Sequence, residues 1–199
     1  VLLNGTLKAK KLAHIFKDSE ASVLITDTTK AKVVAEAFSD LGMNGKIIWT
    51  GNSSAIPKEL FPISWHWDSF FSNSSCPDQN VQFEKAKDNS RRCIDVDLAA
   101  LIYTSGSTGE PKGVMSTHLN MVSAARSIIQ YLENTEKDVV LNVLPLSFDY
   151  GLYQVIMAFM YGGTVVLEKS FLYIHKVLER IVQEGVTGFP VVPTVLAMI

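Results

Sequence analysis

The sequence predicts an α/β fold, a mostly parallel sheet with helices on its faces. Two observations predict it. Amphipathic helical stripes alternate with short β-branched runs along most of the 199 residues, and a loop rich in glycine and hydroxyl residues follows one of those runs. Such alternation implies βαβ units with right-handed crossovers, and it places ligands at the carboxyl ends of the strands.

Taken in order, Leu12, Ile15 and Phe16 share one helical face, and Ser22 to Thr26 (Ser-Val-Leu-Ile-Thr) reads as a short buried strand. Thr28 or Thr29 caps a second helix with the stripe Val33, Val34, Ala37, Phe38 and Leu41. Gly42 ends it before a strand at Lys46 to Thr50. From Gly51 to Asp97 the pattern dissolves into Ser, Asn, Pro and scattered aromatics (Trp65, Trp67, Phe70, Phe71). This stretch reads as irregular connection with one short helix, its aromatics anchoring it by packing.

Periodicity returns with a strand at Leu98 to Tyr103, the Gly-rich loop, a short extended piece around Val114 and a helix from about Thr117 to Leu132. A strand at Asp138 to Leu144, a helix from about Tyr150 to Met160 and a strand at Thr164 to Glu168 follow. A helix from about Ile174 to Gln183 and a β piece near Thr187 to Val192 complete the alternation, and Thr194 onward reads as the start of another helix. No repeat or low-complexity stretch interrupts it.

Composition excludes several classes. A chain with 47% hydrophobic and 19% charged residues folds rather than staying disordered. A formal net charge of -2 provides no field that would draw nucleic acid or an anionic membrane. The most apolar stretch, Val186 to Ile199, is cut by Pro190 and Pro193, so no membrane span is expected. Cys76 and Cys93 match neither a redox pair nor a zinc site, and two free thiols point to a reducing cytoplasm. There is no starting Met or targeting segment, and the expectation is a truncated piece of a larger domain.

Chemistry concentrates in the loop Thr104-Ser105-Gly106-Ser107-Thr108-Gly109-Glu110-Pro111-Lys112-Gly113. Its glycines let the backbone turn and expose N–H groups, its hydroxyls add short donors, and Lys112 brings a mobile positive charge. Together these suit a polyphosphate. A Walker A loop is excluded, because Pro111 stands where its second glycine belongs and Gly113 where its Ser or Thr belongs. The dinucleotide fingerprint GxGxxG is excluded as well, since the glycine after Gly106 comes three residues later, at Gly109.

Tyr103 to Gly113 resembles the signature of the adenylate-forming (AMP-binding) superfamily, which includes acyl-CoA synthetases, peptide-synthetase adenylation domains and luciferases. The resemblance extends to Leu7 to Thr26, Pro145 to Gln154 and Gly162 to Val192. The Phe148-Asp149-Tyr150-Gly151 core is most similar to an acyl-CoA-ligase-like group found beside bacterial exosortase systems.

The resemblance implies activation of a carboxylic acid with ATP, giving acyl-AMP and pyrophosphate, followed by transfer to the thiol of coenzyme A or of a carrier phosphopantetheine. It implies that Thr104, Ser105, Gly106, Ser107, Thr108, Gly109 and Lys112 hold ATP, with Thr104 approaching Mg²⁺, and that Phe148, Asp149, Tyr150 and Gly151 shape the acyl pocket. The partners implied are a small carboxylic acid and, as alternative acceptor, an acyl carrier protein. Asp149 also reads as the N-cap of the helix that follows. Glu110 reads as solvated, and His14, His66, His118 and His175, without partner spacing, read as structural or solvated. Residues 1–199 would then be part of the large N-terminal domain, the C-terminal lid domain lying outside them. The rival reading is a non-catalytic nucleotide-binding or interaction module.

Overall fold

A computed structural model describes residues 1–71, 93–105, 109–169, 171 and 173–198. The chain divides into two compact units. One comprises Gly5–Cys93 with Tyr103–Gly113; the other comprises Val1–Asn4, Ile94–Ile102 and Val114–Ile199.

The first unit is built on helix α1 (Ala9–Asp18), strand β1 (Val23–Asp27), helix α2 (Ala31–Asp40), strands β2 (Lys46–Thr50) and β3 (Ser64–His66), and helix α3 (Trp67–Phe71). The three strands are parallel in the order β1-β2-β3, with Ile48 opposite Ile25 on one side and Trp65 on the other. Helical spacing puts Leu12, Ile15 and Phe16 of α1 and Val34, Ala37 and Phe38 of α2 inside. The Phe16 and Phe38 rings meet at 5.1 Å. Trp49 of β2 is fully buried, its indole Nε1–H donating to Ser64 Oγ at 2.9 Å. Each such fully buried large side chain contributes about 2 kcal/mol.

Three expectations change here. Strand β1 is an edge strand whose Val23 and Ile25 are exposed rather than buried; a short apolar run does not distinguish burial on one face from burial on two. Neither Thr28 nor Thr29 caps α2: Asp27 accepts from Thr29 N–H at 2.9 Å and opens a tight 3-10 turn over Thr28–Lys30, and Lys30, at the N-cap of α2, makes no side-chain cap. The stretch after Gly51 contains two further 3-10 turns and β3 as well as the short helix α3. Trp65 sits on β3, under the Lys46 ammonium at 5.8 Å. The side chains of Phe70 and Phe71, and Cys76, lie outside the described residues. Cys93 is a free, exposed thiol.

Strands β4 (Leu98–Ser105) and β5 (Pro111–Thr117) pair as a separate two-stranded sheet, and the chain passes from one unit to the other within it. The extended piece around Val114 is thus a full strand.

The second unit continues with helix α4 (His118–Leu132), strand β6 (Val139–Asn142), helix α5 (Asp149–Tyr161), strand β7 (Thr164–Leu167), and helices α6 (Ile174–Gln183) and α7 (Pro193–Leu196). Thr117 caps α4 through a reciprocal pair with Asn120. β6 and β7 are parallel, joined through α5, and Val140 faces both Val165 of β7 and Gly188. The strand expected at Thr187 to Val192 is reduced to that single bridge, since Pro190 offers no N–H to extend a ladder. Leu141, Val143 and Val177 form the core, packed on by Val166, Ile181 and Phe189. Among the described residues no helix is long and apolar enough to cross a membrane.

Candidate functional site

The first unit holds the two stems of the Gly-rich loop. Tyr103, on β4, donates its phenolic O–H to Asp18 Oδ2 at 2.6 Å. Burial and the neighbouring Asp18 carboxylate push the phenol up to about 12, so it remains a donor at neutral pH. Its ring lies against Gly113, where an added Cβ would stand 3.0 Å from Cζ. On the other stem, Pro111 is buried and its carbonyl accepts from His14 Nε2 at 3.1 Å. His14 Nδ1 lies 3.9 Å from the exposed carboxylate of Glu110. His14 therefore has partners on this loop, which its sequence position did not disclose.

Between the stems, Thr104, Gly109 and Lys112 are exposed. Gly109 has φ +90°, a conformation that favours glycine, and nothing lies within 4 Å of where its Cβ would be. The Ser105 backbone ends β4; its side chain, and Gly106, Ser107 and Thr108, lie outside the described residues. The described part of the loop thus presents one hydroxyl, one open glycine and one lysine on firmly tied stems.

The second unit holds the acyl-pocket candidates. A cavity of about 860 Å³ opens between α4, α5 and residues 187–190, lined among others by Tyr131, Asp149, Tyr150, Tyr153, Gln154 and Tyr161. Burial and the Asp149 carboxylate raise the Tyr153 phenol, and burial and Asp138 raise Tyr161. Both present neutral hydroxyls. Of the four candidates, Asp149 and Tyr150 line this cavity, whereas Phe148 is half exposed and Gly151 is buried; neither of these two is part of the lining.

Gly151 leaves no room for more than a hydrogen: a Cβ there would overlap the Pro145 carbonyl oxygen and lie 2.9 Å from that of Leu144. The group close to this glycine is the chain's own backbone. Buried Asn142 ties the junction, donating Nδ2–H to Gly151 O at 3.1 Å and accepting from Leu144 N–H at 3.0 Å. Asp149 is not the N-cap of α5. That position is Phe148, in extended conformation, and Asp149 occupies the first helical turn, where it accepts from Tyr150 N–H at 2.7 Å and its charge meets the positive end of the helix.

The remaining histidines divide. His66 Nε2 lies 2.7 Å from the Gly51 carbonyl oxygen and Nδ1 lies 3.5 Å from Asp68. His118 opens α4 with its backbone N–H on the Asp97 carbonyl at 3.1 Å, and His175 is exposed on α6. Asn142, Tyr153, Asp18 and the His14 contact were not among the sequence candidates.

Comparison with known proteins places this geometry. The family model for AMP-binding enzymes matches residues 1–199. The chain belongs to that family. It is similar to a linear gramicidin synthase of Brevibacillus parabrevis, with 27% identity over 190 residues, 94% of this chain and 2% of that protein. Mitochondrial malonate–CoA ligase of Xenopus laevis is 26% identical over 166 residues, 81% of this chain and 24% of the ligase. Among solved structures, o-succinylbenzoate coenzyme A synthetase of Bacillus subtilis, in complex with ATP and magnesium, is 27% identical with a TM-score of 0.69. That match covers 99% of this chain and 34% of the synthetase. This member of the AMP-binding family thus spans at most about a third of these relatives' own length.

The described loop residues fit a nucleotide triphosphate and its metal. Mg²⁺ keeps several waters and takes substrate phosphate oxygens, so it asks few ligands of a protein. The exposed Thr104 hydroxyl suits that limited demand, and the exposed Lys112 suits the phosphate charge.

Proposed function

We propose that the protein carrying this chain is an AMP-forming acid–thiol ligase. In the first half-reaction a carboxylate oxygen of the substrate attacks the α-phosphorus of ATP, the bond to pyrophosphate breaks, and an acyl-AMP forms. In the second, a thiolate of coenzyme A or of a carrier phosphopantetheine attacks the acyl carbonyl carbon and AMP departs with the bonding electrons. The observation that carries this reading is the full signature Tyr103 to Gly113, borne on paired strands with Thr104, Gly109 and Lys112 open to solvent, in a chain the family matches from end to end.

Chemistry at phosphorus asks mainly for positioning and neutralisation of charge. Backbone N–H groups of Ser105 to Gly109 would hold the β- and γ-phosphates, and Lys112 would clamp them electrostatically without acting as a base. Mg²⁺, with Thr104 as its protein ligand, would offset the remaining phosphate charge. The wall offered by Tyr150 and Tyr153 suits the body of an organic acid, and Asp149 leaves room for a cationic substituent on it. The low coverage of the relatives supports a further reading: the chain is part of a large N-terminal domain, with the small lid domain elsewhere in the native protein. A cytoplasmic location for the enzyme is read from the cysteine content of the sequence alone.

ATP–pyrophosphate exchange by the native gene product, run against a panel of carboxylic acids, tests the proposal. Exchange with one acid class is expected, with Lys112→Ala lowering kcat/KM about 10- to 100-fold, or about 1.4 to 2.7 kcal/mol of lost transition-state stabilisation. ATP binding without exchange for any acid would replace this reading with a nucleotide-binding module.

A further inference from the structure

The two ties that hold the loop's stems come from one face of one helix. His14 and Asp18 are four residues apart on α1 and therefore project side by side, while Leu12, Ile15 and Phe16 on the same helix are buried in the core. Asp18 takes the O–H of Tyr103, the residue immediately before Thr104. His14 donates from Nε2 to the carbonyl of Pro111, the residue immediately before Lys112. A carbonyl oxygen can only accept, so Nε2 carries the proton. Each tie thus ends one residue short of an exposed group assigned to the triphosphate, and both are anchored to a helix fixed by its own buried face.

We propose that His14 and Asp18 are positioning residues for the nucleotide: α1 sets the separation and aim of the two loop stems, and so governs the affinity for ATP without touching it. Three structural details support this. Tyr103 is gripped on both sides, by Asp18 at its hydroxyl and by Gly113 against its ring, so removing the hydroxyl frees a stem without emptying a core. Pro111 is buried and its φ is fixed by its ring, so a tie at its carbonyl orients Lys112 directly. Glu110, whose carboxylate lies 3.9 Å from Nδ1, flanks the imidazole from the loop side, so His14 meets the loop stem at two consecutive residues. The roles are separable in principle, because neither His14 nor Asp18 contributes to the apolar packing of Phe16 on Phe38.

The proposal rests on the assignment of the signature as the ATP loop, and the experiment separates the two. Tyr103→Phe, Asp18→Ala and His14→Ala are made in the full-length enzyme, beside Asp18→Asn and His14→Gln, which retain an acceptor and a donor respectively. KM for ATP, KM for the acid, kcat and Tm are measured for each. The first three are expected to raise KM for ATP about fivefold, the loss of one hydrogen bond. KM for the acid and kcat should stay within about twofold, and Asp18→Asn and His14→Gln should restore most of the ATP affinity. A lowered Tm with unchanged KM for ATP would overturn the proposal, leaving the ties as fold stabilisers only. A parallel loss in both KM values and kcat would overturn it equally. If the wild type exchanges with no acid, MgATP binding by calorimetry replaces KM. A fivefold weakening in the three variants then upholds the brace while the ligase reading falls. Unchanged affinity, or no ATP binding by the wild type, overturns the brace.

Discussion

The two segments assigned to ligands are held in opposite ways. The stems of the Gly-rich loop are fixed by side chains reaching across 85 and 97 residues of sequence, Tyr103 to Asp18 and Pro111 to His14. The segment from Leu144 to Gly151 is fixed almost entirely from within, by Asn142 nine residues away and by backbone packed so closely on Gly151 that a methyl group has no space. The first arrangement can be loosened one hydrogen bond at a time. The second is close-packed backbone, which transmits any added volume as strain.

The largest effect should therefore come from the second region. Gly151→Ala drives a Cβ into the Pro145 carbonyl and should cost about 3 kcal/mol, read as a fall in the urea midpoint at unchanged slope. A cost below about 1 kcal/mol would mean that the junction can relax and that the contrast is overdrawn. Asn142→Ala leaves the Leu144 N–H and the Gly151 carbonyl without their partner in a buried place, and about 2 kcal/mol is expected in the same measurement. On the other side of the comparison, His14→Ala should cost about 1 kcal/mol or less, since His14 gives up one partly exposed hydrogen bond.

Asp138, just ahead of β6, combines both modes. It closes its own turn by accepting from Thr135 N–H at 2.7 Å and reaches Thr187 Oγ1, 49 residues on, at 2.8 Å. The Thr135 backbone hydrogen bond, then the Thr187 hydroxyl, hold its carboxyl below the usual 3.8. A carboxyl depressed in the folded state stabilises fully above the unfolded value and loses that contribution as pH falls through the folded one. Acid titration should show Asp138→Asn slightly less stable near neutrality and equal to the wild type once pH drops below the depressed value. A constant gap at all pH values would show that the residue acts through shape alone.

What could be read from the sequence follows the same division. Helices α1, α2, α4 and α6 were legible because each carries its own 3.6-residue period, helped at α4 by Thr117 ahead of it, whereas α5, apolar on most sides, was marked by its length and by Gly162 after it. The signature was legible because its residue types are local and consecutive. Strand β3 was not, since three residues are too few to show alternation and its pairing with β2 depends on partners about seventeen positions away. The Asn142 clamp and the His14 tie were invisible for a similar reason: one isolated polar residue gives no sign of which distant carbonyl it will meet. Asp149 was misplaced by one position because Asp is equally at home at the cap and in the first turn.

The division of the chain has a consequence in time. Helix α1 is made early, but the residue that His14 must grip comes 97 positions later. At roughly 5 to 20 residues per second, a ribosome needs about 5 to 20 s to deliver it. Throughout that interval the unit lacks Tyr103–Gly113, its last segment, and His14 and Asp18 lack the loop partners they later meet. The Gly-rich loop is the closing stitch of this unit, so under the proposed function nucleotide binding would report that the unit has been completed.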